Sequence, residues 1–171
     1  RRVLFRSAFG APYVVKHDGL AAGKGVVVTN DRAEALEHAL QSSRVVIEEY
    51  LDGPEVSLFG ISDGRTVIAM QPAQDFKRAF DGDLGLNTGG MGAYSPLPWA
   101  PETIIEETLE KVLKPTIAEM AKRGTPFVGL LYAGLALTSK GLRVIEFNAR
   151  FGDPETEVLL PRLKTPLAQL L

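Results

Sequence analysis

The stretch that most constrains the fold is Val128–Leu137, VGLLYAGLAL. This nearly continuous apolar run is expected to form a central strand covered on both faces. Ser139-Lys140-Gly141 turns it back into a second strand, Leu142–Asn148. That strand alternates: Ile145, Phe147 and Ala149 fall on one side, and Glu146, Asn148 and Arg150 on the other. The first side is expected to face the core. The second presents an acid, an amide and a guanidinium in a row. Oxygen donors such as Glu146 and Asn148 suit a hard cation, and Arg150 could clamp a phosphate. An ordinary half-exposed strand presents the same pattern, and from these residues alone both readings stay open. Gly152-Asp153-Pro154 stops the strand, and Pro154 suits the first turn of a closing helix, Pro154–Leu163.

Upstream, Tyr13–Lys16 and Val26–Thr29 read as strands joined by a glycine-rich loop, His17 to Gly25. Backbone N–H groups in such a loop can wrap phosphate oxygens, and Lys16 and Lys24 flank it with positive charge. The Walker A spacing is missing, and a strand follows where that motif has a helix. Asp31–Gln41 reads as a helix with capping-box spacing between Asp31 and Glu34 and an apolar stripe of Ala35, Leu36, Ala39 and Leu40. His38 on this helix reads as a solvated side chain without a role. His17 stands alone beside the loop and makes no ligand set.

Val45–Tyr50 reads as a strand, and Val56–Ile61 with Thr66–Met70 as a hairpin. Gln71–Pro96 is long and loop-like, with charged residues followed by Gly89-Gly90-Met91-Gly92. A loop of this length that is not low-complexity points to substrate binding, with Phe76, Phe80, Met91 and Tyr94 as expected anchors. Pro101–Arg123 is helical, kinked or split at Pro115 and ended by Gly124.

The 171 residues suffice for one sizeable core or two small lobes, and no internal repeat shows. A net charge of −2 provides no electrostatic footprint for nucleic acid. The absence of cysteine rules out a disulfide framework and thiolate zinc sites, and fits a reducing, cytoplasmic compartment. No apolar run reaches membrane-spanning length. Residues 1–7, RRVLFRS, read as a translated sequencing adapter foreign to the fold, and Leu167–Leu171 stops in an apolar helical pattern without a cap. Both ends lead to the expectation of a fragment of a longer reading frame. The expected organisation is a small lobe, residues 8–51, and a larger α+β lobe, residues 52–171, with a ligand between them.

Four blocks carry a resemblance to a known family: VVKHDGLAAGKGVVV from Val14, IEEYLDGPEVS from Ile47, QDFKR through NTGGMGAYSP from Gln74, and GLLYAGL through VIEFNARFGDPE from Gly129. Together they span residues 12–164. The chain resembles the ATP-grasp part of the glycinamide ribonucleotide synthetase (phosphoribosylamine–glycine ligase) family, whose amino-terminal and carboxy-terminal domains are expected in the longer reading frame. The resemblance implies an ATP-grasp fold and ATP-dependent ligation of glycine to 5-phosphoribosylamine, in purine biosynthesis. It implies that Lys16 and Lys24 hold ATP phosphates under Gly23–Gly25, that Glu48, Glu49 and Leu51 line the adenine, and that Glu55 binds the ribose. Glu146 and Asn148 would hold Mg2+ or Mn2+, and Arg150 would contact the transferring phosphate. Lys77 and Arg78 would act at the reacting groups, and Asp75, Asn87, Thr88, Gly89, Gly90, Met91 and Gly92 would face glycine and 5-phosphoribosylamine. The expected partners are those small substrates and the chain's own missing domains, with neither nucleic acid nor membrane. The alternatives are another ATP-grasp carboxylate–amine ligase and a nucleotide-binding module without catalysis.

Overall fold

The computed structural model describes residues 9–19, 25–82 and 84–170, with the backbone alone at 86 and 87. Its contacts divide into two compact units, Arg1–Leu51 and Asp52–Leu171. No helix among the described residues is long and apolar enough to cross a membrane.

In the first unit, β1 (Tyr13–His17) is the centre of a three-stranded antiparallel sheet between β2 (Val26–Thr29) and β3 (Val45–Glu48). The sheet is covered by α1 (Arg32–Leu40), and Val15, Ala35 and Ala39 form the small core between them. Two expectations for α1 change. Leu36 and Leu40 stay 36% and 63% exposed, because the two alanines one helical turn apart hold the helix close to the sheet and turn the leucines outward. Asp31 caps the helix by accepting from Ala33 N at 2.7 Å, but Glu34 does not complete a capping box. Thr29 instead supplies the acceptor for Asp31 N and donates its hydroxyl to Glu34. Strand β3 is shorter than expected and ends at Glu48.

In the second unit, β4 (Glu55–Asp63) and β5 (Val67–Ala69) form the expected hairpin. The following stretch is not one open loop. It contains β6 (Gln74–Asp75), β7 (Arg78–Phe80), β8 (Leu84–Asn87) and β9 (Ala93–Tyr94), paired as two small antiparallel ribbons, β6 with β9 and β7 with β8. Strands this short have no hydrophobic period to reveal them. Phe76 stacks on Tyr94 at 5.6 Å, though it too is exposed, as are Phe80 and Met91, also expected as anchors.

A long helical segment follows: α2 (Ile104–Thr108), a π-helical turn (Leu109–Leu113) and α3 (Lys114–Lys122). Pro115 is accommodated by that wide turn, in which Lys114 N reaches back to Leu109 O. A π-turn relieves the clash and the missing N–H that proline brings to a regular α-helix. Gly124 ends the segment with φ +79°, as expected of a C′ glycine.

Next comes β10 (Val128–Thr138), central in the sheet order β11-β10-β4-β5, with β11 (Gly141–Asn148) at one edge. All pairings are antiparallel. As expected, β10 is covered on both sides. Leu131, Ala133 and Leu135 meet Val56, Leu58, Leu113 and Ile117 under the long helical segment. Leu130 and Tyr132 meet Phe59, Ile61 and Leu159 on the other face. That second face is closed by α4 (Glu155–Leu159), which continues as a 3-10 turn (Leu160–Arg162) before α5 (Leu167–Leu170).

The expected alternation of β11 is broken. Gly134 faces Glu146 and Leu135 faces Val144, so Ile145 is the extra residue of a β-bulge. Leu142, Val144 and Phe147 therefore share the helix side in place of Ile145, Phe147 and Ala149. Edge position leaves this side open: Phe147 is 43% exposed, Ala149 is exposed, and Val144 and Phe147 line a groove of about 480 Å³ with Val112, Pro115 and Met120.

Candidate functional site

In the first unit, Lys16 extends from β1 and pairs with Glu48 on the adjacent β3, Nζ to Oε2 at 2.6 Å. Their backbone partners are Val46 and Val14, so the two side chains are diagonal neighbours across the ladder. Gly25 is buried at the end of the glycine loop. Its carbonyl accepts from His17 N at 2.8 Å and from His38 Nε2 at 3.1 Å. His17 Nε2 donates to His38 O, and the two rings stack with centroids 4.1 Å apart. His38 is thus no free surface side chain. It ties α1 to the point where the loop re-enters the sheet. Gly23 and Lys24 lie outside the described residues, Glu49 is exposed and Leu51 is half-buried.

In the second unit the register collects polar residues on one sheet face. Glu55 lies opposite Ala136, Ser57 opposite Gly134, and Phe59 opposite Tyr132, while Gly134 and Tyr132 face Glu146 and Asn148 of β11. Glu55, Ser57, Tyr132, Glu146 and Asn148 therefore share a face, opposite the long helical segment. Asn148 Nδ2 donates to Glu146 Oε1 at 3.2 Å, which leaves the amide oxygen turned away from that bond. Lys77 reaches this face and pairs with Glu55, Nζ to Oε2 at 2.7 Å. Burial disfavours the Lys77 ammonium, but Glu55, Asp75 and Glu146 outweigh it and hold it above the ordinary lysine value. Asp75 is shifted up as well, chiefly by burial, with Lys77 opposing and Glu155 and Glu55 adding to it. The face thus gathers carboxylates around the Lys77 ammonium.

The glycine segment is seated on this arrangement by its backbone. Thr88 N donates to Lys77 O at 2.7 Å, Met91 N to Phe76 O at 2.7 Å and Phe76 N to Gly92 O at 2.9 Å. Thr88 Oγ1 also donates to Lys77 O and accepts from Gly90 N. Gly90 has φ +128°, and a Cβ there would lie 2.5 Å from Pro154 Cδ, so glycine is required where the loop crosses the Asp153-Pro154 turn. Gly89 has open space around it. The other expected residues make local contacts. Arg78 donates to Gly85 O inside the β7–β8 ribbon. Arg150 lies past the end of β11; it is exposed and donates to Phe151 O. Asn87 has only its backbone described, paired with Arg78.

Glu146 and Asn148 offer two adjacent oxygen donors, and no cluster of three or more His, Cys, Asp or Glu among the described residues could hold a metal ion. A donor pair of this kind fits a hard divalent cation that takes its remaining ligands from phosphate and water. One buried carboxylate was missed in the sequence. Glu155 Oε1 accepts from Tyr132 OH at 2.6 Å and from Ser57 Oγ at 2.9 Å. The available signal was a serine and a tyrosine within two otherwise apolar strand runs.

The family model of the phosphoribosylglycinamide synthetase ATP-grasp (A) domain matches residues 3–156. A phosphoribosylamine–glycine ligase of Streptomyces coelicolor is 71% identical over 165 residues, 96% of this chain and 40% of that protein. The crystal structure of a phosphoribosylamine–glycine ligase from Thermotoga maritima matches with a TM-score of 0.82 at 38% identity, over 90% of this chain and 41% of that one. The biotin carboxylase domain of Hydrogenobacter thermophilus 2-oxoglutarate carboxylase, solved with MgADP, matches with a TM-score of 0.66 over 94% of this chain and 35% of that one; at 15% identity this likeness concerns the fold alone. The chain spans about 40% of the length of the curated relatives it matches.

Proposed function

Because the chain belongs to the phosphoribosylglycinamide synthetase ATP-grasp (A) domain family, we propose that it carries the nucleotide site and part of the substrate site of a phosphoribosylamine–glycine ligase. The observation that carries this reading is the single sheet face on which Glu55, Lys77, Glu146 and Asn148 come together. A carboxylate is a poor electrophile. In the proposed reaction a glycine carboxylate oxygen attacks the γ-phosphorus of ATP, the bond to the β-phosphate oxygen breaks and ADP leaves. The amine of 5-phosphoribosylamine then attacks the glycyl phosphate carbonyl. The carbon–oxygen bond to phosphate breaks, the amine loses a proton, and glycinamide ribonucleotide and phosphate result.

No protein nucleophile is needed. The work is positioning and charge neutralisation. Lys16 and Lys24 hold the phosphates, Glu48, Glu49 and Leu51 line the base, and Glu55 takes the ribose hydroxyls. Glu146 and Asn148 hold Mg2+ or Mn2+, which when bound neutralises phosphate charge. Arg150 and Lys77 oppose the charge that develops on the transferred group, and Arg78 assists there. Asp75 and the Asn87, Thr88, Gly89, Gly90, Met91 and Gly92 segment close over glycine and the amine and exclude water, to which an acyl phosphate would be lost.

A coupled assay of ADP release tests the reading: release is expected only with glycine and 5-phosphoribosylamine both present. Nucleotide binding without that dependence would leave a binding module, and release driven by a different amine would name a different ligase. Glu146→Gln is expected to weaken Mg2+-dependent ATP binding measured by calorimetry, and an unchanged Mg2+ dependence would overturn the metal assignment.

A further inference from the structure

The sheet face that carries Glu146 and Asn148 also holds a buried carboxylate that the proposed reaction does not use. Glu155 is 2% exposed, the one charged side chain among the buried described residues. Burying a carboxylate is costly, and an apolar side chain of similar size would usually serve packing as well. Glu155 is matched to its surroundings in three ways. Its Oε1 gathers the hydroxyls of Tyr132 and Ser57, which are themselves 2.7 Å apart. Burial and the bond to Glu155 raise the Tyr132 hydroxyl far above an ordinary phenol, so it remains a donor. The turn leading into α4 is close-fitted over the carboxylate, since a Cβ on Gly152 would fall 2.4 Å from Glu155 Oε2 and 2.9 Å from Phe59 Cζ.

The two hydroxyls stand at particular places. Tyr132 is the cross-strand partner of Asn148, and Ser57 is separated from Glu146 only by Gly134. The segment from Asn148 to Glu155 is also short, so fixing Glu155 fixes how the chain leaves β11. We propose that Glu155 is a positioning residue for the Glu146 and Asn148 pair, acting through Tyr132 and Ser57. The proposal rests on the assignment of that pair to a divalent cation. Groups that orient metal ligands from behind are felt in metal affinity even though they never touch the ion.

The test measures Mn2+ affinity by electron paramagnetic resonance with a non-hydrolysable ATP analogue present, on the whole polypeptide that carries these residues, beside its thermal midpoint. Glu155→Met, which removes the acceptor at similar size, is expected to weaken Mn2+ about tenfold. Glu155→Gln keeps an oxygen for both hydroxyls and is expected to stay within about twofold of the parent. Tyr132→Phe is expected to fall between them, and it decides the matter if Glu155→Met does not fold. A lowered thermal midpoint with unchanged Mn2+ affinity in Glu155→Met, or in Tyr132→Phe, would make the network simple packing and overturn the proposal. Equal losses in Glu155→Gln and Glu155→Met would overturn the route through the hydroxyls. Glu146→Gln, run in parallel, separates the two levels: if it too leaves Mn2+ affinity unchanged, the cation assignment itself falls.

Discussion

Adding one methyl group at Gly152 should cost far more than its size suggests. Gly152 is not among the glycines with left-handed backbone, so Gly152→Ala carries no dihedral penalty and its effect is steric. The new Cβ would lie 2.4 Å from Glu155 Oε2, 2.7 Å from its Cδ and 2.9 Å from Phe59 Cζ. Neither neighbour can yield cheaply: Phe59 is fully buried, and Glu155 is held by two hydroxyls. Overpacking of this kind costs about 1–3 kcal/mol. Displacing the carboxylate from one of its donors adds about 1.5–3 kcal/mol, the usual worth of a hydrogen bond to a charged group. The expected loss is therefore about 4 kcal/mol. Urea unfolding followed by the fluorescence of Trp99, the single tryptophan, reports on this unit. Gly134→Ala is the control: its Cβ would come closest to Glu146 Cγ at 3.3 Å, on an exposed and flexible side chain, with the Glu146 backbone at ordinary contact distance, and it should cost under about 1 kcal/mol. In a Glu155→Ala background only the Phe59 contact remains, so the Gly152 methyl should cost less there and the double mutant should be non-additive. A Gly152→Ala variant within about 0.5 kcal/mol of the parent, or strict additivity with Glu155→Ala, would refute the close fit.

Other substitutions probe the two units separately. Asp75 has its pKa raised mainly by burial, so the folded state binds its proton more tightly than the unfolded chain. Between the ordinary value of 3.8 and the raised folded value, stability is lost as pH rises, and above both the penalty stays in full. Asp75→Asn should therefore stabilise the protein at neutral pH while removing that descent, and a destabilised variant at pH 7 would contradict the sign. His38→Phe keeps the stack on His17 but removes the donor to Gly25 O, and should cost about 1 kcal/mol in denaturant unfolding. No measurable cost would show that the Nε2 bond does not hold the loop end.

The central strand and its return were legible because their signals are local. Val128–Leu137 is apolar at nearly every position, and β10 is buried on both faces. The Glu146 and Asn148 pair was legible for the same reason, since two residues apart on a strand means one face. What failed depended on partners. The side-chain period of a strand is 2, so one bulged residue reassigns everything before it, and Ile145 gave its expected place to Val144. His38 looked idle because its partners, His17 and Gly25, are distant in sequence and meet it only through the fold.

The carboxylate of Glu155 shows why such groups escape sequence analysis. In the chain it is one acid after a proline, and helix starts are commonly acidic. Its burial is decided by Ser57 and Tyr132, 98 and 23 residues away. Those two are adjacent only because Phe59 faces Tyr132 and Ser57 faces Gly134 in the register of β4 and β10. Gly134 completes the arrangement: without a side chain between Ser57 and Glu146, the Glu146 stem lies across the strand, where a Cβ would touch its Cγ. A glycine inside an apolar strand normally weakens it. Here the missing side chain leaves room for an exposed acid on the sheet face that also carries the network around a second, buried acid. The glycine could be noted from the sequence, but what it makes room for follows only from the register of all three strands.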